Sequence, residues 1–164
     1  NPIPAPPSLS QAQAAGVHLT GISDHPFSRC FVCGSDRESH DGLRIFTGAT
    51  DDALRGAAVW NPTALLCDPM ITDDQGNLRY EMIWAALDCP SYFGATINTT
   101  AATAFLGRFT LQIYDHKIPV DQSYIICAWP NGVDGRKLYG GVGLFDLQGN
   151  CLAAANATWI TLKI

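Results

Sequence analysis

The sequence predicts one α+β domain in which an antiparallel sheet wraps a single long helix. Three observations predict it. Only NLRYEMIWAALDCPSYFGATI, residues 77–97, carries a sustained apolar face at helical spacing. Two short β-like stretches precede it, and four longer ones follow, separated by clusters of Gly, Asn, Asp and Pro. Two strands, one helix and four strands is the order expected of a sheet curled about a helix.

Size and composition fit that class. A chain of 164 residues, 47% hydrophobic and 15% charged, makes one ordinary globular core. A domain of this size buries roughly 70% of its unfolded surface, so it folds without needing a disulfide or metal. No apolar run reaches the roughly 20 residues that span a bilayer, so no membrane role is expected. The net charge of −5 argues against a nucleic-acid partner, which would need clustered Lys and Arg. A local basic patch for a phosphorylated group stays compatible with it. The six cysteines are Cys30, Cys33, Cys67, Cys89, Cys127 and Cys151, mostly in apolar segments. Buried reduced thiols are the expectation, and a cytoplasmic protein is expected as well.

In chain order, residues 1–10 (NPIPAPPSLS) are Pro-rich and aperiodic, which predicts an extended arm. A short helix is expected near QAQAAG. Residues 1–27 thus form an N-terminal arm and lead-in, and residues 28–164 the folded domain. LRIFTG and ALRGAAVWNP read as strands, with Asp51-Asp52 as the turn between them. Residues 62–77, with Pro62, Pro69 and the run from Asp73 to Asn77, read as a loop. The helix is expected to begin near Leu78. Met82, Ile83, Ala86 and Leu87 form its apolar side, and Glu81, Trp84, Ala85 and Asp88 another. Pro90 lacks an amide and clashes one turn back, so a kink or restart is expected there. FLGRFTLQIY, QSYIICAWP, KLYGGVGLFD and CLAAANATWITLKI are the later strands, divided by DHKIPVD, NGVDGR and LQGN.

Three stretches, in order and spacing, resemble the hotdog-fold thioesterase superfamily, in its phenylacetyl-CoA thioesterase-like branch. CFVCGSDRESHDGLRI resembles the opening turn and first strand. EMIWAALDCPSYFG resembles the central helix, with an Asp closing a small apolar run. GRKLYGGVGLFDLQGNCLAAANATWI resembles the final hairpin. The similarity covers roughly residues 28–164. It implies an antiparallel sheet around one central helix, acyl-CoA hydrolysis, coenzyme A as part of the substrate with no separate cofactor, and a homodimer or dimer of dimers. The chain departs from the pattern at Arg79-Tyr80-Glu81, where many members have His-Gly-Gly.

Thioester hydrolysis needs a base or nucleophile at the carbonyl carbon and donors for the developing oxyanion. The resemblance puts the carboxylate at Asp88. A second carboxylate, Glu81, lies seven residues earlier on the same face. The first helix amides, at Tyr80 and Glu81, would bind the oxyanion. Trp84 and Tyr92 would line the acyl pocket, and Arg108, Arg136 and Lys137 would meet coenzyme A phosphates. Plainer readings stand beside these. Asp88 could cap a helix restarting at Pro90; Glu81 could simply favour the helix dipole; the three basic residues could be ordinary surface.

Cys30-x-x-Cys33 invites a metal reading, with His25 and His40 near in sequence. A structural zinc site usually draws on a second close pair, and none exists, so no metal is expected and the segment reads as a packed turn over the sheet edge. No nucleophile-elbow motif occurs, and Cys89 has no His nearby to activate it. The functional expectation is hydrolysis of a fatty-acyl or aromatic acyl-CoA. The alternative is a non-catalytic relative that binds an acyl or aromatic ligand. A hotdog dehydratase would pair a carboxylate with a His, and the helix has none.

Overall fold

The computed structural model of the chain describes residues 2–17, 27–38, 40–63, 71–99 and 103–162. Its elements are α1 (Leu9–Val17), β1 (Gly48–Ala49), β2 (Gly56–Trp60), α2 (Tyr80–Thr96), β3 (Ala104–Ile113), β4 (Tyr124–Asp134), β5 (Lys137–Phe145) and β6 (Cys151–Thr161). The strands form one six-stranded sheet in the order β1-β2-β4-β5-β6-β3, and every pairing is antiparallel. The expected order of elements and the sheet around α2 are both present.

The core follows from two periodicities meeting. Along α2, Met82, Ile83, Ala86, Leu87, Pro90, Ser91, Gly94 and Ala95 are buried. Along β4, alternate residues Tyr124, Ile126 and Ala128 face that helix, and from β5 Val142 and Leu144 join them. The other face of β4, with Ile125, Cys127 and Trp129, packs with Ala57 and Phe145 against Ala12 and Ala15 of α1. The short helix expected near QAQAAG therefore forms, starts within the residues read as an arm, and is a third layer over half of the sheet.

Helix and sheet touch backbone to backbone where glycines allow it. A Cβ on Gly140 would sit 2.5 Å from the Ser91 carbonyl oxygen, and one on Gly94 would sit 2.8 Å from the Trp129 nitrogen. This contact explains one correction. Pro90 neither ends nor restarts α2, which is assigned as helix from Tyr80 to Thr96. Ala86 and Leu87 before the proline and Gly94 and Ala95 after it are all buried, so packing on both sides of Pro90 carries the helix through it. The Ser91 hydroxyl also donates to the Asp88 carbonyl at 2.7 Å.

Two strand expectations also change. LRIFTG contributes only Gly48 to a strand. Arg44 adopts a left-handed φ of 52°, which interrupts pleating, and the Leu43 and Ile45 amides donate instead to the carbonyls of Phe31 and Val32. NGVDGR is mostly strand rather than separator. β4 shifts register between Pro130 and Gly132, which accommodates the proline, and the turn narrows to Gly135-Arg136, with Gly135 at φ 56°.

Candidate functional site on the central helix

The outward face of α2 carries the residues that the sequence singles out. Glu81, Trp84, Asp88 and Tyr92 recur every three or four positions and so share one side. The Trp84 ring packs on Phe109 of β3 at 5.4 Å, and the Tyr92 ring meets Trp159 of β6 edge-on at 5.1 Å. Both aromatics expected to line an acyl pocket thus flank Asp88 on the same face, and Trp84 remains 48% exposed.

Asp88 is half-buried, and its Oδ1 atom is fully buried with no hydrogen-bond partner among the described residues. Burial pushes the carboxyl above the usual carboxylate range. The capping reading fails here. Asp88 lies in the middle of α2, whose N-cap is Arg79, so it has no restarting helix to cap. A desolvated carboxylate with an unused oxygen is a better proton acceptor than one in water, which is what a general base requires.

The start of the helix is firmly placed. Asp73 accepts the amides of Gln75 and Asn77 at 2.9 Å each, and the Leu78 amide donates to Ile118 at 2.7 Å. Arg79 donates through Nε to the Thr72 carbonyl at 2.7 Å. No side chain caps the helix. The Met82 amide reaches the Arg79 carbonyl at 3.0 Å, so Tyr80 and Glu81 carry the helix's first amides. Their side chains are exposed, and the Tyr80 ring lies edge-on to His116 at 5.4 Å.

Asp88 and those amides do not meet within one chain. At a rise of 1.5 Å per residue, seven residues separate them by roughly 10 Å along the axis. Oxyanion donors must lie about 3 Å from the oxygen they stabilise. The basic residues are also apart from Asp88. Arg108 pairs with Thr158 and Lys137 with Ile160, on the sheet face turned away from α2; Arg136 is in the β4–β5 turn. Lys137 stands 4.0 Å from Asp134, and both are well exposed.

Sequence reasoning missed a cluster behind this face. The Cys30 and Cys33 turn packs against the core that α2 shares with the sheet, and its thiols meet that of Cys89. The Cys30 and Cys89 sulfurs are 3.5 Å apart although 59 residues separate them. The Cys33 side chain bonds to Cys89 and, with burial, pushes the Cys89 thiol up. The sequence offered no second close pair, and the fold adds one thiol to the first pair, from α2. The one available signal was that Cys89 directly follows Asp88. His25 and Cys67 lie outside the described residues.

No family model matches the chain, and no curated protein is significantly similar to it. Solved structures are. A phenylacetic acid degradation-related protein of Ralstonia eutropha JMP134 superposes with a TM-score of 0.65 at 17% identity, over 88% of this chain and 96% of that one. The chain has the hotdog fold. Others with this architecture include a thioesterase superfamily protein (TM-score 0.61, 10% identity, 73% of this chain), of whose length this chain spans 57%. A hypothetical thioesterase protein of Streptococcus pneumoniae TIGR4, solved with coenzyme A, aligns at a TM-score of 0.55 and 9% identity, over 66% of this chain and 81% of that one. At these identities the likeness is one of fold.

Proposed function

We propose that this hotdog chain hydrolyses the thioester of an acyl-coenzyme A, with Asp88 as general base or nucleophile. The observation that carries the reading is the half-buried Asp88 carboxylate, its Oδ1 without a hydrogen-bond partner among the described residues, between Trp84 and Tyr92 on the outward face of α2. As base, Asp88 takes a proton from water as the water oxygen bonds to the acyl carbon; the C–S bond then breaks, Asp88 gives that proton to the departing sulfur, and coenzyme A leaves as its thiol, with a fatty or aromatic acid as the other product. No separate cofactor enters this scheme.

The oxyanion donors in this reading are the Tyr80 and Glu81 amides of a second copy, because those of the same helix are too far from Asp88. A homodimer, alone or doubled into a tetramer, then holds complete sites. The outer edge of β3 supports this, since β3 ends the sheet and exposes Phe105 and Leu106 at 52% and 39%. Arg108, Arg136 and Lys137 are the proposed phosphate contacts. All three lie toward one end of the sheet, around the β4–β5 turn from the α2 face. The protein would act in the cytoplasm; no helix among the described residues is long and apolar enough to cross a membrane.

A binding protein is the second reading, favoured by Arg79-Tyr80-Glu81, whose side chains crowd the helix start where a close backbone approach is needed. Thiol release over a panel of fatty and aromatic acyl-CoAs, in parent and Asp88→Asn, separates the two. Hydrolysis requires release by the parent and a loss of about 100-fold in the variant, the usual scale for a general base. Saturable binding without release in the parent identifies the binding protein instead.

A further inference from the structure

The described residues contain one group of three potential metal ligands, the thiols of Cys30, Cys33 and Cys89, all within 4.8 Å of one another. A tetrahedral zinc centre with Zn–S bonds of about 2.3 Å has S···S edges of about 3.8 Å. The Cys30–Cys89 separation of 3.5 Å and the 4.8 Å bound on the others bracket that edge. A disulfide needs about 2.05 Å and would leave the third thiol over.

The turn that presents two of the thiols is built without help from them. The Cys30 amide donates to Phe27 at 2.8 Å, Gly34 to Cys30 at 2.9 Å and Asp36 to Ser28 at 2.9 Å. It winds so tightly that a Cβ on Gly34 would lie 2.5 Å from the Cys30 oxygen and 2.6 Å from its nitrogen. Arg37 closes the loop, donating to the Arg29 carbonyl at 2.7 Å and pairing with Asp41 at 2.9 Å. Two sulfurs are therefore held in place toward α2 before any ion arrives, and Cys89 meets them from a rigid helix. Such preorganisation is what a metal site needs and what chance packing of apolar cysteines does not require.

We propose that Cys30, Cys33 and Cys89 together bind one zinc ion, clamping the residue 27–36 turn to α2 one residue from Asp88. Thiolates suit this borderline-soft ion, and water completes the tetrahedron. As three Zn–S bonds form, three thiol protons are released to solvent and nothing is oxidised or reduced. The inference does not rest on thioester hydrolysis: metal content reports on the cysteines and thiol release on Asp88, so either can fail alone.

The test is elemental analysis of the full chain grown with zinc, beside cobalt(II) titration of the reduced, metal-free protein. Expected are one zinc per chain, and cobalt spectra with strong visible bands and a near-ultraviolet sulfur-to-cobalt charge-transfer band that saturate at one equivalent. Cys30→Ser and Cys89→Ser should lose the zinc, and Cys127→Ser, which alters a thiol on the other sheet face, should keep it. The cobalt titration uses the parent chain and so stands even if a variant fails to fold. Zinc near background with no charge-transfer band overturns the proposal. So does a mass deficit of two hydrogens, locating a disulfide among these three residues, in protein isolated under reducing conditions.

Discussion

The indole Nε1 of Trp159 donates to the Ser91 hydroxyl at 3.0 Å, and that hydroxyl donates on to the Asp88 carbonyl at 2.7 Å. One relay thus ties β6 to α2 beside its proline. Ser91→Ala keeps the shape but leaves the indole N–H without this acceptor. A loss of about 1–2 kcal/mol is expected, within the usual cost of a broken buried hydrogen bond. Urea unfolding measures it, and Trp159→Phe in the Ser91→Ala background should cost less than Trp159→Phe alone.

Asp88→Asn should raise the melting temperature near neutral pH while it removes hydrolysis. Because burial lifts the folded-state pKa above the unfolded one, ionised Asp88 costs stability at pH above its folded value. As pH falls through that value, the parent recovers, and below the unfolded value of about 3.9 both states hold the proton. The stabilising effect of Asn should therefore shrink on acidification. Thermal unfolding from neutral pH to pH 4 checks this. Identical melting at neutral pH would mean that the carboxylate has found a partner.

Gly140→Ala should be among the more damaging conservative changes in the molecule. The added carbon would meet the Ser91 oxygen at 2.5 Å and the Ala95 nitrogen at 2.8 Å, and neither is the end of a flexible side chain. Helix and sheet must part, at a cost of about 3 kcal/mol, the upper part of the overpacking range. Chemical denaturation gives the number. A value near zero would show that α2 slides freely on β5.

Lysines at Phe105 and Leu106 should turn a dimer into a monomer by light scattering, since charge on an edge strand opposes strand addition. If donors and base come from different copies, hydrolysis should fall in parallel. Full activity in a monomeric variant would break the shared-site reading.

How much was legible beforehand depended on the range of the signal. Glu81, Trp84 and Asp88 were readable as one side of the helix because helical spacing is local, whereas Ala85, grouped with them on that spacing, packs against the core. The last four strands were readable because each is long and bounded by turn residues. Pro90 misled because its local penalty is visible in sequence, whereas the packing on both sides that outweighs it is not. The Cys30–Cys89 contact was invisible for the same reason, since only the fold closes a gap of 59 residues. Arg108 could be named as basic but not assigned a face, because a bulge near Gly107 resets the alternation of β3.

Ala12 and Ala15, 0% and 2% exposed, lie over Ile125, Cys127 and Phe145. Cutting the chain back to Phe27 would accordingly be a different operation from trimming a loose tail. It would strip a lid of small residues from a greasy strip of sheet, and the shortened protein would carry a sticky flank well away from the β3 edge. Expression designs that begin at the Cys30 turn should then yield aggregates, while a tag joined ahead of Pro2 leaves that seal in place.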